Sequence, residues 1–386
     1  MNPPPRQLRH TMTSTSTTTS PELPSAQTPS HDARTALVVG ATGIGGSALV
    51  DQLVDEGWQV LALARRPGRE RARVRWISAD LRSAAALGAA LAPEHPTHVF
   101  FTAWARQATE TENIAVNGAM VRDLLAALGH AQVEHVALVT GLKHYLGPFE
   151  AYGQGPIPET PFREDEPRLD APNFYYAQED ELFAAAERDG ITWSVHRSHT
   201  VIGHAVGNLM NMGLTLAVYA SICRELDLPF VFPGSETQWN GLTDMTDATV
   251  LADQMVWAAT DPQGADEAFN VVNGDMFRWR AMWPAIAEYF GVDPVGPGAV
   301  IAPLEQQMRG MDDTWTRIAQ QHRLAESDLT RLASWWHTDA DLGRQIEVLA
   351  DISKSRIAGF TTHHRTVDSF TDLFDRYRSE RLIPSA

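Results

Sequence analysis

From residue 35 onward the chain alternates short, uninterrupted apolar runs with longer stretches in which apolar side chains recur every three or four positions. The segment "TALVVGATGIGGSALVDQLVDEG" opens on an apolar run and passes through glycines. Leu49, Val50, Leu53 and Val54 then fall on one helical face, so it reads strand, tight turn, helix. "WQVLALA" (58–64) and "VRWISAD" (74–80) read as further strands, and "SAAALGAALA" (83–92) as a helix before the strand "THVFFTA" (97–103). A helical pattern over 112–128, the strand "HVALVTG" (135–141), a helix near 174–189 and the strand "TWSVHRSHTVIG" (192–203) continue the alternation. Strands apolar on both faces and joined by helices predict a parallel, doubly wound sheet of the Rossmann type in an α/β fold.

Past residue 204 the alternation weakens. "AFNVVNG" (268–274) still reads as strand and turn, and "RWRAMWPAIAEYFG" (278–291) as an amphipathic helix. The tail from 312 is mostly helical, most clearly in "LTRLASWWHTDADLGRQ". The expected organisation is a dinucleotide-binding domain over 35–203 and a smaller, helix-rich, substrate-binding portion over 204–386 that closes over the strand C-termini, where such sheets bind ligands. Residues 1–34, rich in Ser, Thr and Pro, hold too few apolar side chains to offset the entropy of ordering and predict a disordered leader.

Composition narrows the partners. The formal charge of -17 opposes nucleic acid and anionic lipid, and no run of residues has the length and apolarity of a secretory signal or a spanning helix. Cys223 is the single cysteine, so no internal disulfide forms, which fits a reducing, cytoplasmic setting. No metal site is expected: pairs such as His363–His364 lack ligand spacing. A hydrolase elbow of the Gly-x-Ser-x-Gly kind is missing as well.

Gly40, Gly43 and Gly46 sit between the first strand and the first helix. Without side chains there, backbone amides can approach a pyrophosphate and the helix can pack close to the strand, with the helix N-terminus favouring the anion. In an NAD site an acidic residue at the end of the second strand binds the ribose 2′-hydroxyl. This chain has Arg65 and Arg66 there, suited to a 2′-phosphate, which points to NADPH. Two solvated arginines in an arginine-rich stretch would look the same. Asp80, after the third strand, is placed to accept from an adenine amino group or to serve as a turn residue.

A reductase needs a group that stabilises developing negative charge beside the nicotinamide. A tyrosine near a cation can do this. The usual Tyr-x-x-x-Lys pair is missing: "NFYYAQEDELF" puts Glu179 four residues after Tyr175 and Asp180 four after Tyr176. The chain has two lysines, Lys143 and Lys354. Lys143 directly follows a strand C-terminus, whereas Lys354 falls in an expected tail loop, so Lys143 is the expected partner. Packing tyrosines and a solvated lysine remain the plain alternative.

"VGATGIGG", "TGLKHYLGPFE", "NFYYAQED", "TWSVHR" and "AFNVVNGDMFRW", in that order from about residue 36 onward, resemble the progesterone 5β-reductase/iridoid synthase-like family. These are atypical short-chain dehydrogenase/reductases. The resemblance implies NADPH-dependent reduction of the carbon–carbon double bond of an enone or enal. Lys143 and Tyr175 would be the catalytic residues, with Tyr176 a neighbour. It implies cofactor contacts at Thr42, Gly43, Ile44, Arg65, Arg66, Asp80, Leu81, Thr102 and Val201. Trp104, Leu146, Phe149 and Tyr152 would form an apolar substrate wall suited to terpenoid or steroid-like molecules, and a homodimer is also implied. Two departures stand out: Ser198 replaces the family's usual proline, and "SKSRIAGF" tracks its counterpart loosely around Phe360. A carbonyl reductase or sugar-nucleotide epimerase on the same scaffold, and a non-catalytic NADP-sensing regulator, are the competing readings.

Overall fold

A computed structural model describes residues 34–148, 158–208, 210–298 and 302–385. The expected leader falls outside the described residues except for Arg34, and so do the expected wall residues Phe149 and Tyr152. In chain order the fold runs β1 (Thr35–Val39), α1 (Ile44–Asp55), β2 (Gln59–Ala64), β3 (Val74–Ser78), α2 (Ala84–Leu91), β4 (His98–Phe101), α3 (Glu110–Ala127), β5 (His135–Gly141), α4 (Lys143–Leu146), α5 (Phe174–Asp189) and β6 (Thr192–Ser198). It continues with β7 (Val201–Ile202), α6 (Met212–Leu226), β8 (Phe230–Val231), α7 (Glu236–Asn240), β9 (Thr246–Asp247), α8 (Ala248–Thr260), β10 (Glu267–Val271), α9 (Trp279–Phe290) and β11 (Pro294–Val295). The tail adds α10 (Leu304–Gln307), α11 (Asp312–His322), α12 (Trp335–Leu342), α13 (Ser353–Ile357) and α14 (Thr366–Ser379).

Seven strands form one parallel sheet in the order β10-β6-β5-β4-β1-β2-β3. Its centre is dry: Ala36, Leu37, Val38 and Val39 are fully buried because helices cover both faces. One face packs Leu87, Met120, Leu124 and Leu182 from α2, α3 and α5. The other packs Leu49 and Leu53 of α1 beside Leu251 and Met255 of α8. Strand order reverses at β1, flanked by β2 and β4, and a crevice opens at such a reversal beyond the strand C-termini.

A second core lies among α6, α9, α11 and α14, where Tyr219, Trp283, Trp315 and Phe374 are fully buried. The indole of Trp283 stacks on Phe230 with centroids 3.9 Å apart, and its Nε1 donates to the Phe230 carbonyl at 2.9 Å. The helix-rich tail therefore has a core of its own, but the two portions interleave in sequence: β10 and α8 return from the second half to complete the sheet.

The expected long strand 192–203 is two strands. After Ser198 the chain leaves the main sheet: the His199 carbonyl accepts from the Thr246 amide, the His199 amide donates to the Thr246 hydroxyl, and β7 pairs with β9 instead. Lys354 lies on the short helix α13 and not in a loop; its ammonium sits 2.6 Å from Glu267.

Candidate active site

The glycine turn is shaped by what a side chain would strike. Gly40 has φ +83°, in the left-handed region that favours glycine, and its amide and that of Ala41 both donate to the Leu63 carbonyl. A Cβ on Gly46 would lie 2.2 Å from the Gly40 oxygen, so only glycine lets α1 approach the turn this closely. Gly43 caps α1 without a side-chain bond, and no acidic residue occupies the first turn. The N-terminal amides and positive dipole end are thus left for an anion. Thr102, after β4, donates its hydroxyl to the Val39 carbonyl at 2.8 Å and borders the same turn.

Arg65 and Arg66 follow β2 directly and are exposed; among the described residues no side-chain hydrogen bond ties down either guanidinium. Asp80 stands after β3, where the Arg82 side chain and amide hold its carboxyl down at about 2. It is an ionised acceptor beside Leu81 at the sheet edge.

β5 delivers Lys143. All four residues of α4 are buried, and Lys143 is only 4% exposed. A buried ammonium needs countercharge, and Glu110 at the start of α3 lies 3.8 Å from Nζ; the Phe174 ring centroid is 5.3 Å away. Asn173 joins the pieces. Its Oδ1 accepts from the Tyr175 amide at 3.0 Å, capping α5, while its Nδ2 donates to the Lys143 carbonyl at 2.8 Å. Glu110 also accepts from the Phe174 amide at 2.8 Å. α3, α4 and α5 are therefore locked together around Lys143 and Tyr175.

Both side chains open on one cavity of about 220 Å³, which also reaches Gly43, Ile44, Thr102 and Val201. The Tyr175 phenol lies beside Gly141, where a Cβ would be 3.5 Å from its oxygen and 2.9 Å from the Ser198 carbonyl. Tyr176 is occupied elsewhere: its hydroxyl donates to the His144 carbonyl at 3.1 Å and accepts from the Leu169 amide at 3.0 Å. Burial pushes its phenol up. Glu179, where a Tyr-x-x-x-Lys pair would carry lysine, bonds Arg168 at 2.7 Å.

Trp104 lines the cavity, stacked on Phe174 with centroids 5.2 Å apart. Leu146 packs instead into an apolar cluster with Tyr145, Phe162 and Val348. Ser198, on the cavity wall, donates its hydroxyl to the Thr140 carbonyl at 3.0 Å, and Phe360 belongs to the sheet core against Trp257.

Sequence reasoning missed Asn173 and Glu110, which position the pair. The Asn before an apolar helical run was the available signal for a cap. It also missed the cavity's polar wall at His337, Asp341 and Arg344; the first two stand four apart in the tail's clearest helical segment. Among the described residues no group of His, Cys, Asp and Glu could hold a metal ion.

A sequence profile described as the PRISE-like Rossmann-fold domain matches residues 90–384. The chain is 37% identical to an (S)-8-oxocitronellyl enol synthase of Camptotheca acuminata over 363 residues, covering 90% of this chain and 93% of that protein. It is equally 37% identical to a 3-oxo-Δ(4,5)-steroid 5β-reductase of Arabidopsis thaliana over 364 residues, with the same coverage. Among solved structures it resembles the UDP-glucose 4-epimerase of Thermotoga maritima, with TM-score 0.62, 15% identity and coverage of 89% of this chain and 99% of that one. The Bordetella bronchiseptica enzyme WbmH in complex with NAD+ gives TM-score 0.60 at 14% identity, covering 90% and 98%. These two likenesses concern the fold.

Proposed function

The chain belongs to the PRISE-like Rossmann family, the progesterone 5β-reductase/iridoid synthase-like enzymes, and we propose that it reduces the carbon–carbon double bond of an enone or enal with NADPH. The observation that carries the reading is the convergence of Tyr175 and Lys143 on the cavity that borders the glycine turn, held by Asn173. Relatives named as a steroid 5β-reductase and as enol synthases support the reaction class.

The residues present fit the cofactor. The turn at Gly40, Gly43 and Gly46 is a cradle that a Cβ would fill, and α1 offers uncapped amides to the pyrophosphate. Arg65 and Arg66 would take the 2′-phosphate, and Asp80 and Leu81 would border the adenine. When bound, NADPH supplies the hydride. The substrate's β-carbon takes it, the double-bond electrons move through the α-carbon, and negative charge arrives on the carbonyl oxygen. Tyr175 donates a hydrogen bond toward that oxygen, and the Lys143 ammonium lowers the energy of the enolate by its charge. Burial strengthens both effects, because little water competes for the anion. A proton then joins the α-carbon and restores the carbonyl.

Lys143 is one of the chain's two lysines, and its burial accounts for the choice. A compact ammonium can stand between Glu110, the Phe174 ring and the cavity, where a wide planar guanidinium fits poorly. The proposed setting is cytoplasmic: Cys223 is a buried free thiol, and among the described residues no helix is long and apolar enough to cross a membrane.

The test is product analysis. Offered NADPH and a cyclic enone such as progesterone, or a terpenoid enal, the protein should yield the saturated carbonyl compound, identified by mass and NMR. An allylic alcohol would instead place it with the carbonyl reductases, and cofactor binding without turnover would make it a sensor.

A further inference from the structure

The loop after β4 carries Trp104 into the cavity and, two residues on, Arg106. The backbone around Arg106 is fixed. Oδ1 of Asn117 accepts from the Ala105 amide at 2.7 Å and Nδ2 donates to the Ala105 carbonyl at 3.0 Å, while Oδ1 of Asn113 accepts from the Gln107 amide at 2.7 Å. Both asparagines are buried on α3, so the loop is pinned on either side of Arg106 and only its side chain is left to choose a direction. It turns onto α12, with the guanidinium carbon 4.2 Å from the ring centroid of Trp336. Among the described residues no hydrogen bond or ion pair holds that guanidinium; the indole face holds it, by the attraction between a cation and the ring.

The contact joins two sides of the cavity. Trp104 lines one side, and His337, whose ring meets that of Trp336 edge-on with centroids 5.6 Å apart, lines the other. Trp104 and His337 are half-buried and Arg106 is exposed, so the arginine lies on the solvent side of both, along the rim. α12 is anchored along its length: the Ser334 amide donates to the Thr215 hydroxyl at 3.0 Å, Asp339 accepts from the Leu304 and Glu305 amides at 2.6 and 3.0 Å, Asp341 accepts from the Thr200 hydroxyl at 3.0 Å, and Leu342 is buried in the second core. With both backbones fixed, the side chain of Arg106 is the part that moves. One such contact at an exposed site is weak, and breaking it returns the guanidinium to water.

Room inside is short. The cavity of about 220 Å³ borders Gly43, Ile44 and Val201, on the side proposed for the cofactor, as well as Tyr175 and Lys143. Sites that enclose a whole drug-sized ligand measure about 300–1,000 Å³. A single-ring enone is short enough to sit inside with its oxygen at Tyr175. A rigid steroid carries its enone at one end, so the rest of its skeleton has to extend out past the rim.

We propose that Arg106, laid across the rim and held by Trp336, sets the size of enone the protein accepts: compact enones react with the arginine in place, and long rigid ones bind only after it has swung into solvent. This inference rests on the reading of the cavity as the site of enone reduction and says which substrates that site prefers. An exposed cation–ring contact leaves the bar open for about one part in three to one part in six of the time. The apparent affinity for a long substrate is therefore reduced about three- to sixfold, and that for a compact one is untouched.

The experiment compares kcat/KM, with NADPH, for 2-cyclohexenone and for progesterone in the wild type, Arg106→Ala, Arg106→Lys, Trp336→Leu and the double variant Arg106→Ala/Trp336→Leu. In Arg106→Ala the value for progesterone rises about three- to sixfold through KM, while that for cyclohexenone and the KM for NADPH stay the same. Arg106→Lys, which keeps a cation for the ring, stays near the wild type. Trp336→Leu frees the bar and gains in the same direction, and the double variant gains no more than Arg106→Ala alone, because the two side chains act through one contact. A gain in Arg106→Ala that is equal for both enones, or no gain, overturns the proposal. So do gains that multiply in the double variant, or a weakened NADPH, which would place the arginine against the cofactor. Arg106 is exposed, so its two variants decide the matter even if Trp336→Leu fails to fold. Calorimetric binding of progesterone to NADP+-loaded protein separates this claim from the reductase reading. Affinity that rises about three- to sixfold in Arg106→Ala, with no enone reduced by any variant, sinks the reductase and keeps the bar. Reduction of both enones in the same ratio by the wild type and Arg106→Ala does the reverse. Progesterone that neither binds to nor reacts with Arg106→Ala overturns the bar, because the open rim should admit it.

Discussion

The side-chain amide of Asn173 donates to the backbone carbonyl of Lys143 at 2.8 Å, across thirty positions of sequence, and its oxygen caps the helix that carries Tyr175. One side chain thus sets the spacing between a phenol and an ammonium that the usual arrangement sets by one turn of a single helix. Asn173→Ala removes the cap and one of the two donors to the Lys143 carbonyl, which keeps the Gly147 amide at 3.1 Å, at a combined cost of about 1–3 kcal/mol. The expected outcome is a lower melting temperature together with a fall in kcat, while NADPH still binds. Asn173→Asp keeps the cap but loses the donor, so its kcat should suffer more than its stability. Equal retention of kcat in both variants would deny Asn173 this positioning role.

Tyr175→Phe should lower kcat about 100- to 1000-fold, the range seen when one donor to a developing oxyanion is removed. NADPH affinity, followed by quenching of tryptophan fluorescence, should hold. Tyr176→Phe loses the bond to the His144 carbonyl and about 1 kcal/mol of stability, with kcat nearly intact. If the two variants exchanged effects, the assignment of the phenols would be reversed.

The glycine geometry makes two different failures separable. Gly46→Ala drives a methyl to within 2.2 Å of the Gly40 oxygen and should abolish NADPH binding in any protein that still folds. Gly141→Ala meets the Ser198 carbonyl at 2.9 Å and the Tyr175 phenol at 3.5 Å, so it should displace the phenol. Its signature is a loss in kcat at nearly unchanged NADPH affinity, measured by single-turnover kinetics beside equilibrium binding.

Replacing both Arg65 and Arg66 by alanine should weaken NADPH by about tenfold or more and leave NADH nearly unaffected, since in the proposed site each guanidinium would make a charge-assisted contact to the 2′-phosphate alone. The ratio of the two dissociation constants is the readout. Parallel weakening of both would assign these arginines to the pyrophosphate or the surface.

Three buried histidines predict acid sensitivity. Burial lowers His135 to about 3, and His144 and His196 to about 4, well below the imidazole value that the unfolded chain shows. Between the unfolded value of about 6.5 and these folded values, the unfolded state binds the extra protons, so stability is full above about pH 6.5 and is lost as pH falls toward 4. The slope is about 1.4 kcal/mol per pH unit for each histidine. His135 bonds Thr192 and Ser194 through its two nitrogens, and His135→Gln should flatten the slope of urea midpoint against pH.

What the sequence disclosed followed physical range. β5 spans 135–141 as its apolar run indicated, and the glycine turn lies at the first strand–helix junction, because both are local matters of burial and backbone space. Lys143 was singled out because it follows a strand C-terminus, whereas Lys354, expected in a tail loop, lies on α13 and pairs with Glu267. Asn173 and Glu110 were not legible: their roles depend on bonds to residues 30 and 64 positions away. The same holds for α12, whose His337 and Asp341 look like an ordinary amphipathic pattern until the fold brings them to the cavity. Leu146 shows how little an apolar residue near a site says of its neighbours: the fold packs it with Tyr145 and Phe162.

The edge strand β10 pairs with β6 and comes from the second half of the polypeptide, after α8 has covered α1. During synthesis the nucleotide-binding sheet therefore stays one strand short, with the outer edge of β6 open, until Val271 has left the ribosome. A fragment ending at residue 203 would expose that edge and the apolar flank of α1, and would aggregate before it could hold a cofactor.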